Sequence, residues 1–243
     1  MSRVFAVSDL HGMYPLWKQI RDFLQPDDKL YVLGDCGDRG REGWKIITEV
    51  LQDPRVTYIR GNHEQMLLDA WRDEFMGEEY YLWMSNGGWE TFDKMMGQDK
   101  LDMWLDQLNR TTKYAATYEN KDGKIIHLTH AGFTPMEETF YPDKKELLWD
   151  RDHCWDKCDW WPEENPNDYV VHGHTPVRSS TFKYLIYGDP SRFKVNDSAT
   201  VVRYAHGHKI CIDAGCFATG KIALLDLDTF EEYLFEIPNF INM

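Results

Sequence analysis

Residues 29–40 read KLYVLGDCGDRG, and this stretch contains the pattern that decides the fold. An apolar run from Leu30 to Leu33 ends abruptly in a polar motif, Gly34 to Gly40, that contains two aspartates and an arginine. Runs of this kind, bounded by glycine and polar residues, are typical of buried strands. The pattern occurs once more on either side: Arg3 to Ser8 leads into DLHG at 9–12, and Val56 to Ile59 leads into GNHE at 61–64.

The segments between these three predicted strands have the spacing of amphipathic helices. Apolar residues recur at helical intervals in both segments: Leu16, Ile20 and Phe23 in the first, and Trp44, Ile47, Val50 and Leu51 in the second. Strand, helix, strand, helix, strand predicts a parallel sheet with right-handed crossovers. The carboxyl ends of such strands meet at one edge of the sheet, where ligands bind. All three polar motifs are therefore expected in one site.

The rest of the chain predicts further elements of the same domain, which we expect to span residues 1–243. A helical insertion is expected at about 64–112, and a hairpin or lid at about 177–208. Two strands around the turn sequence NKDG at 120–123 predict a hairpin. Short apolar runs predict the remaining strands, the last three of antiparallel character: Tyr169–Val171, Lys209–Ile212, Ile222–Leu227 and Tyr233–Ile237.

Composition limits the classes of function. The 243 residues are 42% hydrophobic and 28% charged, which is typical of a globular chain. The 27 basic and 41 acidic residues give a net charge of −14, which argues against nucleic-acid or anionic-membrane partners. The first apolar run is too short for a signal peptide, and no stretch approaches the ~20 apolar residues of a membrane span. We therefore expect a soluble, cytoplasmic protein with mostly free cysteines.

The polar residues at the predicted strand ends have the chemistry of metal ligands. They combine carboxylate, amide and imidazole groups without a thiolate: Asp9, His11, Asp35, Asn62, His63, His130 and His174. Such a set suits Mn²⁺, Fe or Zn²⁺ in a catalytic site. These ligands are too many for one ion, and two ions need a bridging group that spans about 3.5–4 Å. Asp35, on the central motif, is the predicted bridge.

These motifs, in this order and spacing, resemble the metallophosphoesterases of the phosphoprotein phosphatase family. The carriers of the resemblance are DLHG at 9–12, GDCGDRG at 34–40, GNHE at 61–64, HAG at 130–132 and GHT at 173–175. WMSNGG at 83–88, LWDR at 148–151 and IDAG at 212–215 are similar to the compact bacterial and phage lambda members. The resemblance covers roughly residues 3 to 227. It implies an α/β fold of calcineurin-like type, with two packed β-sheets flanked by helices.

The resemblance also implies a role for each matching residue. The metal ligands that it implies are Asp9, His11, the bridging Asp35, Asn62, His130 and His174. The catalytic residues that it implies are His63 as general acid, Asp38 as its orienting carboxylate, and Arg39 and Arg151 as phosphate clamps, with Asn62 also binding substrate. Two divalent transition-metal ions, Mn²⁺ first and Fe or Zn²⁺ as alternatives, would supply a bridging hydroxide for in-line attack on phosphorus.

Other histidines and cysteines are not assigned to this site. His172 is not expected to be a ligand, and His127, His153, His206 and His208 are expected to be structural or exposed. His153, Cys154 and Cys158 resemble half of a zinc site, but no second Cys or His pair lies nearby in the sequence. Cys36 is either a redox-sensitive thiol or a small buried side chain. Gly37 departs from the family, which usually has an aliphatic residue there.

Three hypotheses for function remain open at this stage. The first is hydrolysis of phosphoserine and phosphothreonine in proteins, with tyrosine phosphate as a looser substrate. The second is a diadenosine tetraphosphate hydrolase, against which Asp38 and Glu64 argue mildly because that branch often varies at both positions. The third is a non-catalytic metal-binding module, against which His63, Arg39 and Arg151 argue. The partner expected is a phosphoprotein, and the oligomeric state is not predicted.

Overall fold

The computed structural model describes residues 2–132, 143–155, 159, 161 and 163–241. Its strands are β1 (Val4–Val7), β2 (Lys29–Val32), β3 (Val56–Tyr58), β4 (Ala115–Glu119), β5 (Ile125–Thr129), β6 (Asp168–His172), β7 (Lys194–Val195), β8 (Val202–Tyr204), β9 (Lys209–Cys211), β10 (Lys221–Asp226) and β11 (Glu232–Glu236). Its helices are α1 (Tyr14–Phe23), α2 (Gly43–Gln52), α3 (Asn62–Arg72), α4 (Glu78–Trp83), α5 (Trp89–Met95), α6 (Leu101–Thr111), α7 (Lys144–Trp149), α8 (Ser180–Gly188) and α9 (Cys216–Thr219).

The strands form two mixed sheets. The first has the order β11-β10-β1-β2-β3, in which β1, β2 and β3 are parallel and confirm the predicted βαβαβ unit. The second has the order β4-β5-β6-β9-β8-β7, in which β5, β6 and β9 are parallel. Both sheets therefore have parallel strands whose carboxyl ends carry polar motifs, as the fold prediction requires.

Alternation along β1 explains why the sheets pack as layers. Phe5 and Val7 lie in a buried cluster with residues of α1 and α2, whereas Val4 and Ala6 lie in a second cluster with residues of β5, β6 and β9. Successive side chains of a strand point to opposite faces, so each face of the first sheet meets a different layer. The result is the predicted sandwich of two sheets flanked by helices.

Two local predictions differ from the structure. The strand at Lys209–Cys211 was expected to be antiparallel, but it is parallel to β6 and antiparallel only to β8. Within 177–208, the β7–β8 hairpin is preceded by α8, a helix that the alternation of aromatic and polar residues did not indicate. Phe182 of this helix is fully buried with Tyr204, so the segment packs on the edge of the second sheet. Tertiary packing, which a local pattern does not contain, determines both outcomes.

The region predicted as a helical insertion contains α3, α4, α5 and α6. A π-helical turn at Met84–Gly88 joins α4 to α5, and Gly87 within it has a positive φ of 97°. Among the described residues, no helix is long and apolar enough to cross a membrane.

Candidate functional site

The loops after the strands hold the predicted ligands in an uncommon backbone conformation. Asp9, His11, Asp35 and His174 have φ values of 53°, 38°, 54° and 63°. A non-glycine residue in this region is disfavoured by about 1–3 kcal/mol and persists only where the surroundings enforce it. Backbone hydrogen bonds between the loops enforce it here: His11 N–H donates to the Asp35 carbonyl at 2.8 Å.

Glycines allow these loops to approach one another closely. Gly34 has a φ of 86°, and a Cβ on it would lie 2.5 Å from the Gly61 backbone. A Cβ on Gly173 would lie 1.8 Å from Ser8 Oγ and 2.1 Å from Asp9 Oδ2. A side chain at either position would push the strand ends apart, so glycine is required where the metal-ligand loops converge.

Asp35 lies at the centre of the cluster, as the bridge prediction requires. Its Oδ1 is 3.5 Å from His130 Nε2, and its Oδ2 is 3.6 Å from His11 Nε2 and 3.8 Å from His63 Nε2. These separations are too long for good hydrogen bonds but match two ligands on a shared ion. Two sets of donor atoms close enough to hold an ion contain Asp35: one with His11 and His63, the other with His130 and His174.

The hydrogen bonds around His130 and His174, on the Oδ1 side of Asp35, indicate a cation site. His130 Nδ1 donates to the Leu33 carbonyl at 2.7 Å, so in the neutral imidazole Nε2 presents a lone pair. That lone pair faces Asn62 Oδ1 at 2.9 Å, and His174 Nδ1 lies 3.1 Å from the same oxygen. Acceptors that face one another in a buried site are satisfied by a shared cation, so Asn62, His130 and His174 fit a metal ion.

The set on the Oδ2 side contains Asp9 and His11. His11 Nδ1 donates to the Gly37 carbonyl at 3.1 Å, which leaves Nε2 as the donor atom for an ion. Asp9 Oδ1 lies 3.9 Å from that nitrogen. The other carboxylate oxygen, Asp9 Oδ2, accepts from Ser8 Oγ and from the His174 N–H. One oxygen of Asp9 is thus held by the protein while the other faces the metal position.

Burial and the imidazoles together shift the pKa values of the two central carboxylates. Burial raises the pKa of Asp9 to about 6, and the negative charge of Asp35 adds to the shift. Burial would also raise the pKa of Asp35, but the surrounding imidazoles, above all His130, His63 and His11, hold it below its usual range. Asp35 is therefore the carboxylate that keeps its charge most firmly, which suits a bridge between two cations.

Asp38 and Trp83, which are distant from His63 in the sequence, fix its orientation. Its Nδ1 lies 2.7 Å from Asp38 Oδ2, and Trp83 Nε1 donates to the same oxygen at 2.8 Å. Burial alone would lower the pKa of His63, but the charges of Asp35 and Asp38 raise it above the ordinary value. The imidazole is therefore held in one orientation, with Nε2 directed toward the metal cluster and able to carry a proton.

The two predicted arginines are exposed beside this cluster. Arg39 Nη1 donates to His11 Nε2 at 2.6 Å, and Arg39 Nη2 lies 3.2 Å from His63 Nε2. Arg151 is exposed in the loop after α7. Burial lowers the pKa of His174 well below its ordinary value, and the charges of His130 and Arg151 lower it further.

Sequence reasoning missed the residues that support the ligands. Glu64 is buried and accepts from the backbone N–H groups of Asp35, Cys36 and Gly61 at 2.8–2.9 Å. Thr91 Oγ1 accepts from Asp38 N–H at 2.7 Å. The position of Glu64, three residues after the residue that caps α3, is the one available signal, because glutamate there commonly reaches back to the helix start.

Among the described residues, His127, His206 and His208 do not belong to any of the groups of donor atoms that could hold an ion. His208 Nδ1 donates to the Asp168 carbonyl at 2.8 Å, at the opposite end of β6 from His172. His127 is half-buried beside Asp168 at 3.1 Å, and His206 is exposed. Burial raises the pKa of the Cys36 thiol well above its ordinary value, which fits a small buried side chain. Cys158 lies outside the described residues.

Two bacterial proteins are similar in sequence to this chain. Serine/threonine-protein phosphatase 1 of Salmonella typhimurium is 38% identical over 195 residues, which cover 72% of this chain and 79% of that protein. Serine/threonine-protein phosphatase 2 of Escherichia coli is 29% identical over 195 residues, which cover 76% of this chain and 86% of that protein.

Solved structures share the fold at low sequence identity. A protein provisionally described as a diadenosine tetraphosphatase has a TM-score of 0.62 at 16% identity, with 98% of this chain and 95% of that chain covered. A protein serine/threonine phosphatase from Saccharomyces cerevisiae has a TM-score of 0.59 at 14% identity, with 100% and 82% covered. The sequence profile of the calcineurin-like phosphoesterases matches residues 2–209. This chain therefore belongs to the calcineurin-like phosphoesterase family and is a metal-dependent phosphoesterase.

Proposed function

We propose that this phosphoesterase hydrolyses phosphoserine and phosphothreonine in proteins. The names of the bacterial relatives support this substrate class. The observation that carries the proposal is the hydrogen-bonded pair of His63 and Asp38, 2.7 Å apart and buried beside the metal cluster. Such a pair is suited to give a proton to a strongly basic leaving group.

The proposed metal ligands divide into two groups around Asp35. Asp9 and His11 would hold one ion, and Asn62, His130 and His174 would hold the other. A donor set of carboxylate, amide and imidazole without thiolate favours Mn²⁺, with Fe and Zn²⁺ as alternatives. When bound, the ions lower the pKa of a water molecule to near neutrality and neutralise charge on the phosphoryl oxygens.

Arg39 and Arg151 are the proposed phosphate ligands. A guanidinium presents parallel N–H donors that match two oxygens of a phosphoryl group. Arg39 already points two of its nitrogens into the cluster, at His11 and His63. Both arginines are exposed, so a phosphoryl group on a large protein substrate can reach them. Their positive charges offset the net charge of −14 where the dianionic substrate binds.

His63 is the proposed general acid. Asp38 accepts from Nδ1, so the proton available for transfer is on Nε2, the nitrogen that faces Asp35 and Arg39. A serine or threonine alkoxide is strongly basic and needs that proton as its bond to phosphorus breaks. The phosphate leaving group of a dinucleoside polyphosphate is only weakly basic, so it needs an oriented acid much less. The pair therefore favours a phosphomonoester of an alcohol over diadenosine tetraphosphate.

The test compares substrates on one metal-loaded enzyme. Purified protein with Mn²⁺ is assayed against a phosphoserine peptide, a phosphotyrosine peptide and diadenosine tetraphosphate, with product identified by mass spectrometry. We expect kcat/KM for the phosphoserine peptide to exceed that for diadenosine tetraphosphate by at least about 100-fold, the lower range of general acid catalysis. A preference for the dinucleotide would refute the proposal. The Asp35→Asn variant, which lacks the bridging charge, is the control for contaminating phosphatases.

A further inference from the structure

A second cluster of metal-ligand side chains lies behind the catalytic loops. His153 and Cys154, from the loop after Arg151, meet His172 at the end of β6, and their donor atoms all lie within 4.8 Å of one another. All three side chains are at most 1% exposed. The sequence separates His172 from the pair by a long segment, so the cluster exists only in the folded chain.

A fourth donor completes this group. The phenol oxygen of Tyr204, from β8, lies 2.7 Å from His172 Nε2 and 3.3 Å from Cys154 Sγ. Cys154 Sγ in turn lies 3.1 Å from His153 Nε2. Tetrahedral zinc, with bonds of about 2.0–2.3 Å, has ligand-to-ligand edges of about 3.3–3.7 Å. The distances from Cys154 Sγ to Tyr204 Oη and to His153 Nε2 are within a few tenths of an ångström of these edges. The shorter distance, from Tyr204 Oη to His172 Nε2, is that of a hydrogen bond that an ion would replace.

In both imidazoles Nδ1 already faces an acceptor, which leaves Nε2 as the nitrogen for a metal ion. His153 Nδ1 lies 3.2 Å from Asp150 Oδ2, and His172 Nδ1 lies 3.0 Å from the Gly173 carbonyl. A metal-bound histidine characteristically donates its other ring N–H to a carboxylate or a carbonyl. In both residues Nδ1 is therefore the outward-facing donor, and Nε2 is left to face Cys154 and Tyr204.

The surroundings of His153 favour its protonated ring when no ion is bound. Burial alone would lower the pKa of His153, but Cys154 and Asp150 raise it to about 9. Metal ions compete with protons for such a position. On binding, His153 Nε2, the Cys154 thiol and the Tyr204 phenol would each release one proton to water.

We propose that His153 Nε2, Cys154 Sγ, His172 Nε2 and Tyr204 Oη form a closed structural site for a divalent zinc-class ion, separate from the catalytic metals. Thiolate and tyrosinate neutralise the divalent charge. Among the described residues, the Lys209 ammonium lies 3.3 Å from the His153 carbonyl and the Asp150 carboxylate lies beside the His153 ring. The ion would tie the loop that carries Arg151 to strands β6 and β8.

Cobalt gives a signal that distinguishes this site from the catalytic one. A cysteine thiolate bound to Co²⁺ has a charge-transfer absorption in the near ultraviolet, and the proposed catalytic ligands include no cysteine. The protein is unfolded, freed of metal and refolded with Co²⁺, so that the ion can enter the buried site. We expect the thiolate band in the unmodified chain, its loss in Cys154→Ser, and its retention in Cys211→Ser.

The control residue is matched for burial and surroundings. Cys211 is buried in the same apolar cluster, but its Sγ donates to the Thr175 carbonyl at 3.3 Å and does not belong to the group of donor atoms formed by His153, Cys154 and His172. Circular dichroism checks the folding of each variant. His172→Asn retains the thiol and should weaken Co²⁺ binding, read from the same band, by at least about ten-fold. Absence of the band in the unmodified chain, or its persistence in Cys154→Ser, would overturn the proposal.

Discussion

Replacing His63 by Asn tests the assignment of the general acid. The change removes the proton donor but leaves a small polar side chain at the start of α3, where His63 N–H donates to Asp35 Oδ1 at 3.1 Å. This backbone hydrogen bond survives the substitution, so the bridging carboxylate keeps its support. We therefore expect the variant to retain both metal ions, measured by elemental analysis, and to lose only the proton transfer.

The size of the loss depends on the leaving group. General acid catalysis contributes about 10²–10⁴-fold, or about 3–5 kcal/mol of transition-state free energy. Phosphoserine needs the proton, so the variant should lose kcat of that order on a phosphoserine peptide. The nitrophenolate of p-nitrophenyl phosphate leaves readily without a proton. Its kcat should therefore fall by less than about ten-fold.

Asp38→Asn provides a graded control for the same reasoning. The asparagine Oδ1 can still accept from His63 Nδ1 and Trp83 Nε1, which now donate to Asp38 Oδ2 at 2.7 and 2.8 Å. Only the charge-assisted part of the interaction is lost, about 1–1.5 kcal/mol, which corresponds to about a ten-fold loss on phosphoserine. The assay is kcat at saturating substrate for all three proteins on both substrates. An equal loss on the two leaving groups would show that His63 stabilises charge or structure and does not donate the proton.

Three further outcomes are expected. Arg151→Ala should retain both metal ions while kcat/KM falls by about 10²–10³-fold, because a preorganised positive charge is lost from the transition state; unchanged kinetics would contradict its role as a phosphate ligand. Asp35→Asn, or treatment of the unmodified chain with a chelator, should abolish turnover and metal retention together; an active, metal-free protein would refute the metal assignment. Asp28→Asn should reduce the free energy of unfolding at neutral pH by about 1–3 kcal/mol, because Arg3 and the Gln25 N–H donate to this carboxylate. Burial alone would raise the pKa of Asp28, but these donors hold it below the ordinary value. Its contribution is therefore complete above the ordinary aspartate pKa and is lost as the pH falls through the lowered one, so urea unfolding from pH 7 to pH 3 should show the variant converging on the unmodified chain.

The first sheet was predictable because its signals are local. Each of its parallel strands is an apolar run followed at once by a polar motif, and the rule that parallel strands end at one edge places Asp9, Asp35 and Asn62 together. The orientation of β9 was not predictable, because it depends on which neighbours the strand finds. It pairs with β6 on one side and with β8 on the other, and the sequence of β9 does not indicate which strands its neighbours are.

Contacts between distant segments that hold the site residues in place could not be predicted from the sequence either. Trp83 and Thr91 reach the 34–40 loop from α4 and α5; the motif WMSNGG at 83–88 includes Trp83 but does not indicate that it contacts Asp38. The cluster of His153, Cys154 and His172 is the clearest example. The sequence shows only the adjacent pair His153 and Cys154 and does not indicate that His172 lies beside them in the folded chain. Residues that act on a ligand are identifiable by type and spacing, whereas residues that hold those ligands are identifiable only once the chain is folded.

Buried acidic groups at one end of the sandwich connect the chemistry of the site to the stability of the fold. Asp9, Asp35, Asp38, Glu64 and Asp213 are each at most 2% exposed. Burial raises the pKa of Asp213 well above its usual value, and repulsion from the Asp9 charge adds to this shift, which Arg39 opposes. Metal ions would relieve this repulsion, because they bind the folded arrangement and not the unfolded chain. Bound at the proposed positions, the ions would therefore offset the cost of burying these carboxylates and would stabilise the strained loops at Asp9, His11 and Asp35.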